Sequence, residues 1–142
     1  MRKSKINISG FKIGTAENRD GLTGVTVILA PDGGATAGVD VRGCAPGTRE
    51  TDLLDPRKTV QKIHAVVLSG GSAFGLEAAS GCVKYLAEQG VGFPIGNVCV
   101  PIVCSAVLFD LMIGDEKAYP DLLMGYEAAK SASSEFLSGC NG

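Results

Sequence analysis

The chain has 142 residues, a formal net charge of −2, 45% hydrophobic residues and 20% charged residues. These values predict one globular domain over residues 1–142 and exclude a disordered chain. The acidic balance argues against nucleic-acid binding, and no apolar run approaches the roughly 18 residues that cross a membrane. The N-terminal segment MRKSKINISG lacks the apolar centre of a signal peptide, so we expect a cytoplasmic protein.

Five cysteines are present, and no C-x-x-C pair occurs among them. An odd number without such pairs predicts neither a disulfide framework nor a zinc or other metal site. Reduced cysteines that act as small apolar side chains agree with a cytoplasmic location.

The first half of the chain alternates apolar runs with turns and one polar stretch. Residues 24–30 and 35–43 are strand-like runs around an Asp-Gly turn, which predicts a β-hairpin. Residues 44–60 are polar and contain two prolines, which is typical of a long loop with a functional role.

The second half contains the clearest strand-to-helix boundary. Residues 63–68 form a short apolar run typical of a strand buried on both faces, and a glycine-rich turn follows at 69–72. Helical spacing of apolar residues extends from Ala73 to Gln89, and a second helix is predicted over 119–137, with Pro120 in its first turn. Strands that alternate with helices predict an α/β layered fold.

The glycine-rich turn fails three familiar motifs. Gly70 and Gly75 have the spacing of a phosphate-binding loop, but Leu76 replaces its lysine. Ser72 replaces the middle glycine of a dinucleotide-binding turn, and Phe74 replaces the last glycine of a nucleophile elbow. The sequence therefore predicts no cofactor.

The same turn also reads as an ordinary helix start, capped by Ser69 or Ser72. Exposed N–H groups at such a start favour a carboxylate or carbonyl oxygen. His64 is the single histidine of the chain and is expected to be a satisfied core residue, so no Ser-His-Asp triad is predicted. Arg49 and Glu50 are adjacent in the polar loop and are expected to form a local ion pair.

Four segments together resemble the P1 family of peptidases: GVTVILAPDGGATAGVDVRGCAPGTRETDLLDP, HAVVLSGGSAFGLEAA, VPIVCSAVLFDL and YPDLLMGYEAAKSAS. This family includes L-aminopeptidase/D-esterase enzymes, β-peptidyl aminopeptidases, a nylon-oligomer hydrolase and a cysteine transpeptidase. The resemblance extends from about Gly21 to Ser133, and its APGTRETDLL and LSGGSAFGL blocks are long and specific.

The resemblance implies a self-processing aminopeptidase or amide hydrolase on an αββα sandwich, similar to the fold of ornithine acetyltransferases. Family precursors cut their own backbone ahead of a serine or threonine, and the freed residue becomes the nucleophile of a second chain. Its α-amino group can act as the base, so no histidine is required. This chain would then be the N-terminal part of a larger autoprocessed domain. Its expected partners are the downstream β-chain and further copies in a homo-oligomer.

The resemblance also implies where a peptide or amide substrate would bind. The expected substrate-binding residues are Ser69, Gly70, Gly71, Ser72, Phe74, Arg49 and Glu50. Phe74 would form an apolar wall, and Asn141 is a candidate for the asparagine that helps to form the family's oxyanion hole. The catalytic nucleophile would lie outside these 142 residues.

Two other functions stay open. One is a ligand-binding domain without catalysis, which would fold alone, and the other is an acyltransferase on the same fold, in which an amine accepts the acyl group. Half of a layered sandwich would leave an apolar sheet face uncovered, so we expect the chain to be poorly soluble by itself.

Overall fold

The computed structural model describes residues 2–139 and residue 142; Met1, Cys140 and Asn141 lie outside the described residues. The Asn141 candidate for the oxyanion hole therefore has no structural account. The strands are β1 (Arg2–Lys5), β2 (Lys12–Asn18), β3 (Thr23–Leu29), β4 (Thr48–Arg49), β5 (Ala65–Ser69), β6 (Phe93–Ile95), β7 (Val98–Val100), β8 (Val103–Val107) and β9 (Glu135–Ser138). The helices are α1 (Ala78–Glu88) and α2 (Leu122–Lys130), and two 3₁₀ helices span Asp52–Leu54 and Ser72–Glu77.

A five-stranded mixed sheet forms the centre of the fold, in the order β2-β3-β5-β8-β4. Strands β5 and β8 run parallel, and the other neighbours run antiparallel. The parallel pair is connected through α1, as a parallel connection requires a crossover. Two small antiparallel pairs, β1 with β9 and β6 with β7, lie outside this sheet. The arrangement confirms the predicted α/β class.

One face of the sheet is covered by α1 and α2, and this interface is the core. The side chains of Val25, Val27 and Val67 are fully buried there, together with Ala78, Ala79 and Cys82 of α1 and with Ala128 and Ala129 of α2. Alanine-rich helices can pack close to a valine-rich sheet because the side chains on both surfaces are small.

The two helices approach each other at a pair of glycines. A Cβ atom on Gly81 would lie 1.9 Å from the Leu122 carbonyl oxygen, and one on Gly125 would lie 1.9 Å from the Ala78 carbonyl oxygen. Neither distance is compatible with any side chain, so glycine at both positions sets the spacing of α1 and α2.

The opposite face of the sheet is open. Ile28 and Val66 are half-buried on it, and Leu68 is 46% exposed although it lies between Thr26 of β3 and Ala106 of β8. No helix among the described residues has the length and apolar character that a membrane crossing requires.

The predicted hairpin pairs β3 with the wrong segment. Strand β3 matches the predicted run 24–30, but its hairpin partner is the preceding β2, with a connection over residues 19–22. Residues 35–43 form no strand, and Ala35 makes an isolated bridge to Ile63. Because β2 and β5 occupy both edges of β3, no edge is left for residues 35–43.

The predicted helices are present but shorter. The segment predicted to be helical from Ala73 begins as the 3₁₀ helix Ser72–Glu77 and becomes α-helical at Ala78. The second helix begins after Asp121, whose Oδ1 accepts a 2.8 Å hydrogen bond from the Met124 amide, so Pro120 precedes it. The C-terminal part of its predicted range forms β9.

Candidate active site

The glycine turn connects the end of β5 to the 3₁₀ helix Ser72–Glu77. Gly71 and Ser72 both have left-handed backbone conformations, with φ of 78° and 51°. For a serine this conformation costs about 1–3 kcal/mol, so the surrounding structure must hold it. The Ser72 amide donates to the Leu108 carbonyl at 2.9 Å, and the Leu108 amide donates to the Ser69 carbonyl at 3.0 Å.

A carboxylate binds the turn, and it belongs to the chain itself. The Gly71 amide donates to Asp110 Oδ1 at 2.6 Å, and the Thr23 hydroxyl donates to Asp110 Oδ2 at 2.7 Å. The predicted affinity of this turn for a carboxylate is therefore satisfied by Asp110. A substrate oxygen has to bind elsewhere along the cleft or displace it.

Gly70 has no space for a side chain. A Cβ atom there would lie 2.1 Å from Asp110 Oδ2 and 2.4 Å from Thr23 Oγ1. A glycine at position 70 thus lets the Asp110 carboxylate approach the backbone. This close approach, and not phosphate binding, explains why the residue is a glycine.

A cleft of about 420 Å³ opens beside this network. Its described lining includes Gly70, Thr23 and Asp110, and also Glu17, Arg19, Leu108 and Gly142. Arg19 forms an ion pair with Glu17 at 2.7 Å. The cleft combines aliphatic surface with a few polar groups, as small-molecule sites do.

The other predicted turn residues surround this cleft less directly. Ser69 is buried, and its hydroxyl donates to the Gly70 carbonyl at 3.1 Å. The expected serine cap is wrong, because Gly71 occupies the cap position of the 3₁₀ helix and no side chain caps it. Phe74 is 59% exposed and stacks on Tyr119, with ring centroids 4.7 Å apart.

Arg49 and Glu50 lie away from the cleft lining and do not pair with each other. The Arg49 guanidinium donates to the Ser80 hydroxyl of α1 at 2.7 Å. Glu50 has a left-handed backbone, with φ of 58°, and lines a separate open hollow of about 540 Å³ with Lys58. The expected local ion pair is wrong because β4 directs Arg49 towards the helix layer.

His64 is a satisfied core residue, as predicted. It is buried, and its Nδ1 accepts a 3.0 Å hydrogen bond from the Ile102 amide. Burial lowers its pKa, so the imidazole is neutral near pH 7. It lies just before β5, at the opposite end of the strand from the glycine turn.

The two buried thiols among the described residues are not activated for nucleophilic chemistry. Cys44, Cys82, Cys99 and Cys104 are free, and burial raises the pKa of Cys82 to about 12 and that of Cys104 to about 11. Both buried sulfurs are therefore protonated at neutral pH. Within residues 2–139 and 142, no group of three or more His, Cys, Asp or Glu residues is arranged to hold a metal ion.

A family model described as Peptidase family S58 matches residues 5–142. The chain belongs to peptidase family S58. The predicted family resemblance is thereby confirmed over nearly the whole chain, including the glycine turn and the segment that carries Asp110.

Curated relatives in this family are much longer than the chain. An uncharacterized aminopeptidase of Mycobacterium leprae is 43% identical over 141 residues, which cover 94% of this chain and 39% of the relative. A 6-aminohexanoate-oligomer endohydrolase of Kocuria sp. (strain KY2) is 34% identical over 128 residues, which cover 90% of this chain and 33% of the relative. The chain thus spans less than half the length of either one.

Solved structures share the fold of this S58 chain. The PH0078 protein of Pyrococcus horikoshii OT3 matches with a TM-score of 0.74 at 21% identity, over 95% of this chain and 42% of that one. The ornithine acetyltransferase of Mycobacterium tuberculosis, solved with ornithine, matches with a TM-score of 0.52 at 16% identity, over 94% and 76%. The predicted fold of ornithine acetyltransferase type is confirmed. The described residues supply one helix layer and one sheet layer of it.

Sequence reasoning missed Asp110 and Thr23. The signal for Asp110 is present, because it is the one carboxylate in the otherwise apolar run 98–113. Such a residue either has a buried partner or marks a site. Thr23 has no comparable signal, since a threonine at the start of a strand is ordinary.

Proposed function

We propose that this chain is the N-terminal part of a self-processing amide hydrolase of the aminopeptidase type. Membership of family S58 supports the proposal, as do relatives named as an aminopeptidase and an oligomer endohydrolase. The observation that carries it is the cleft beside the glycine turn. Backbone amides and carboxylates line this cleft, and it lies at the edge of the sheet face that no described helix covers.

The nucleophile in this proposal is a serine or threonine at the start of a second chain derived from the same precursor. Its hydroxyl would attack the substrate carbonyl, and its own α-amino group would accept the proton. The described cleft side chains include Thr23, but its hydroxyl already donates to Asp110. A nucleophile supplied from outside the described residues fits this arrangement.

The open sheet face supports the proposed second chain. Leu68 is half exposed in the middle of the sheet, and Gly142 lies beside Thr26 on the same face while lining the cleft. Residues that cover this face would therefore also border the cleft. We propose that the downstream β-chain does so, that residues 1–142 form one layered half of a larger domain, and that copies assemble further into a homo-oligomer.

Substrate binding is proposed at the turn rather than in the polar loop. Gly70 lines the cleft directly, while Ser69, Gly71 and Ser72 hold its backbone and Phe74 stands beside it with Tyr119. Asn141, which precedes the cleft residue Gly142, is proposed as an oxyanion donor. Arg49 and Glu50 stay predictions, as does the cytoplasmic location.

The proposal is tested first on protein expressed from the complete gene. Intact mass and N-terminal sequencing are expected to show two chains, the second beginning with serine or threonine. Aminoacyl p-nitroanilides with α- or β-amino groups are expected to be hydrolysed by the processed protein and not after the new N-terminal residue is changed to alanine. An unprocessed single chain with full activity would contradict self-processing.

The same assay separates hydrolysis from acyl transfer. With an added amine acceptor, a hydrolase releases mainly the free acid, whereas an acyltransferase releases mainly the acylated amine. If neither product forms with any aminoacyl amide or ester, the enzyme proposal fails and the non-catalytic ligand-binding function is favoured.

A further inference from the structure

We propose that Asp110 is a positioning residue that fixes the glycine turn in the shape the cleft requires. The inference rests on the proposed amide hydrolysis for its activity readout, while its structural part stands on the geometry alone. Asp110 itself need not exchange a proton with substrate; it acts through the backbone of Gly70 and Gly71.

Asp110 joins three separate segments of the chain at one carboxylate. One oxygen accepts the Gly71 amide at 2.6 Å, and the other accepts the Thr23 hydroxyl at 2.7 Å. These bonds connect the loop after β8 to the turn after β5 and to the first residue of β3. Together with the backbone bonds between Ser72, Leu108 and Ser69, these two side-chain bonds restrain the turn.

The turn needs an external restraint because Ser72, which is not a glycine, has a left-handed backbone conformation. Two consecutive residues, Gly71 and Ser72, have left-handed conformations, and the helix that follows is a 3₁₀ turn without a side-chain cap. Without Asp110, the buried Gly71 amide would lose its partner. The turn would then relax, and the cleft wall formed by Gly70 would move with it.

The neighbours of Asp110 show that the loop is organised around this contact. Leu108, Phe109, Met112 and Ile113 are each at least 60% exposed, whereas Asp110 between them points into the turn. Within this loop, Asp110 is therefore the side chain that anchors the segment to the turn.

The decisive comparison is between Asp110→Asn and Asp110→Ala in the complete, processed protein. An asparagine keeps an oxygen for the Gly71 amide, and its amino group can donate to the Thr23 hydroxyl, which then reverses its role. We expect kcat/KM for the aminoacyl amide to fall between about ten- and a hundredfold in Asp110→Ala. We expect Asp110→Asn to restore it to within about threefold of the wild type.

Asp115→Ala is the matched control, because Asp115 lies in the same loop and also accepts a backbone amide, that of Lys117 at 2.9 Å. Asp115 is exposed and outside the cleft lining, so its removal is expected to leave kcat/KM unchanged. Thr23→Val removes one of the two bonds to Asp110 and is expected to cause a loss of only a few fold.

An activity-independent readout tests the clamp even if the substrate class is wrong. Hydrogen exchange of peptides that cover residues 69–77 is expected to accelerate in Asp110→Ala, to accelerate less in Thr23→Val, and to be unchanged in Asp110→Asn and Asp115→Ala. If the wild type hydrolyses no amide, the proposed function fails while these exchange rates still decide the clamp.

Three results would overturn the positioning role. The first is an Asp110→Asn variant as inactive as Asp110→Ala, which would show that the charge or its proton takes part in the reaction. The second is complete inactivity of Thr23→Val, which would make Thr23 a reacting group. The third is unchanged exchange at residues 69–77 in Asp110→Ala or, should that variant not fold, in Thr23→Val.

Discussion

The two faces of the central sheet differ sharply within a single strand. In β5, Val67 is fully buried against the helices, and the next residue, Leu68, is 46% exposed on the opposite face. Both side chains are aliphatic, so composition does not distinguish the two faces. The two faces differ in what packs against them, because α1 and α2 lie on one face and no described helix lies on the other.

The covered face and the open face of the sheet have different roles: one stabilises the fold of this chain, and the other is available for assembly with a second chain. A sheet with one apolar face is satisfied by one helix layer, whereas a sheet with two apolar faces is typical of the middle of a layered fold. The helix face holds these residues together. The open face holds the residues that the proposed β-chain would cover, and the cleft lies at its edge.

Val67→Asp tests the helix face and has the largest expected effect. An unpaired carboxylate would be placed in the dry interface between β5 and α1, at a cost of more than about 4 kcal/mol. We expect no cooperatively folded protein, measured by far-UV circular dichroism and urea unfolding of the complete protein. A stable Val67→Asp variant would mean that the helix layer does not close over β5.

Leu68→Asp tests the open face one residue away. In the 142-residue chain expressed alone, the change is expected to raise soluble yield and to alter the free energy of unfolding by no more than about 0.5 kcal/mol. In the complete protein it is expected to block association with the β-chain, as measured by size-exclusion chromatography. If the unmodified chain alone is already a monodisperse monomer that unfolds cooperatively, the open face is not an interface.

The strand before the glycine turn and the helix after it were predictable, because both depend on local pattern. The expectation that this strand is buried on both faces is wrong, since Leu68 is 46% exposed. The apolar run before Ser69 and the helical spacing after Ala73 are signals within about 20 residues. The partner of β3 was not predictable in the same way. Residues 35–43 have the alternation of a strand, yet both edges of β3 are occupied by β2 and β5, and this competition is decided by tertiary pairing.

The candidate site was predictable in its position but not in its contacts. The family resemblance implied a substrate-binding role for Gly70, which lines the cleft. Asp110 lies 39 residues after Gly71 and contacts it through the parallel pairing of β5 with β8. Arg49 and Glu50 are adjacent in sequence, but β4 separates their side chains between α1 and an open hollow. The contact of Asp110 and the directions of Arg49 and Glu50 both depend on how β8 pairs with β5 and β4, and sequence alone does not supply this register.

Gly81→Ala tests how closely the helix face is packed. Alanine normally stabilises the interior of a helix by about 1 kcal/mol relative to glycine. Here its Cβ would lie 1.9 Å from the Leu122 carbonyl oxygen, so a net loss of about 1–3 kcal/mol is expected instead. Gly38→Ala is the control, because open space surrounds that position. Urea midpoints measure both, and a stabilised Gly81→Ala variant would show that α1 and α2 have room to separate.

A pH titration tests the segment just before β5, where His64 is buried although Leu68 is not. Burial lowers the pKa of His64 in the folded protein, while the unfolded chain keeps a value near 6.5. As the pH falls below about 6.5, the imidazole of the unfolded state therefore binds a proton while that of the folded state stays neutral, and the free energy of unfolding decreases. The decrease is at most about 1.4 kcal/mol per pH unit for one proton, and it ends once the pH drops below the folded pKa.

The neutral imidazole also has a defined role, since its Nδ1 accepts the Ile102 amide and cannot do so when protonated. His64→Gln is expected to lose this part of the pH dependence below about pH 6.5, measured by urea unfolding at each pH. An identical pH profile in the variant would mean that carboxylates, and not His64, govern acid stability.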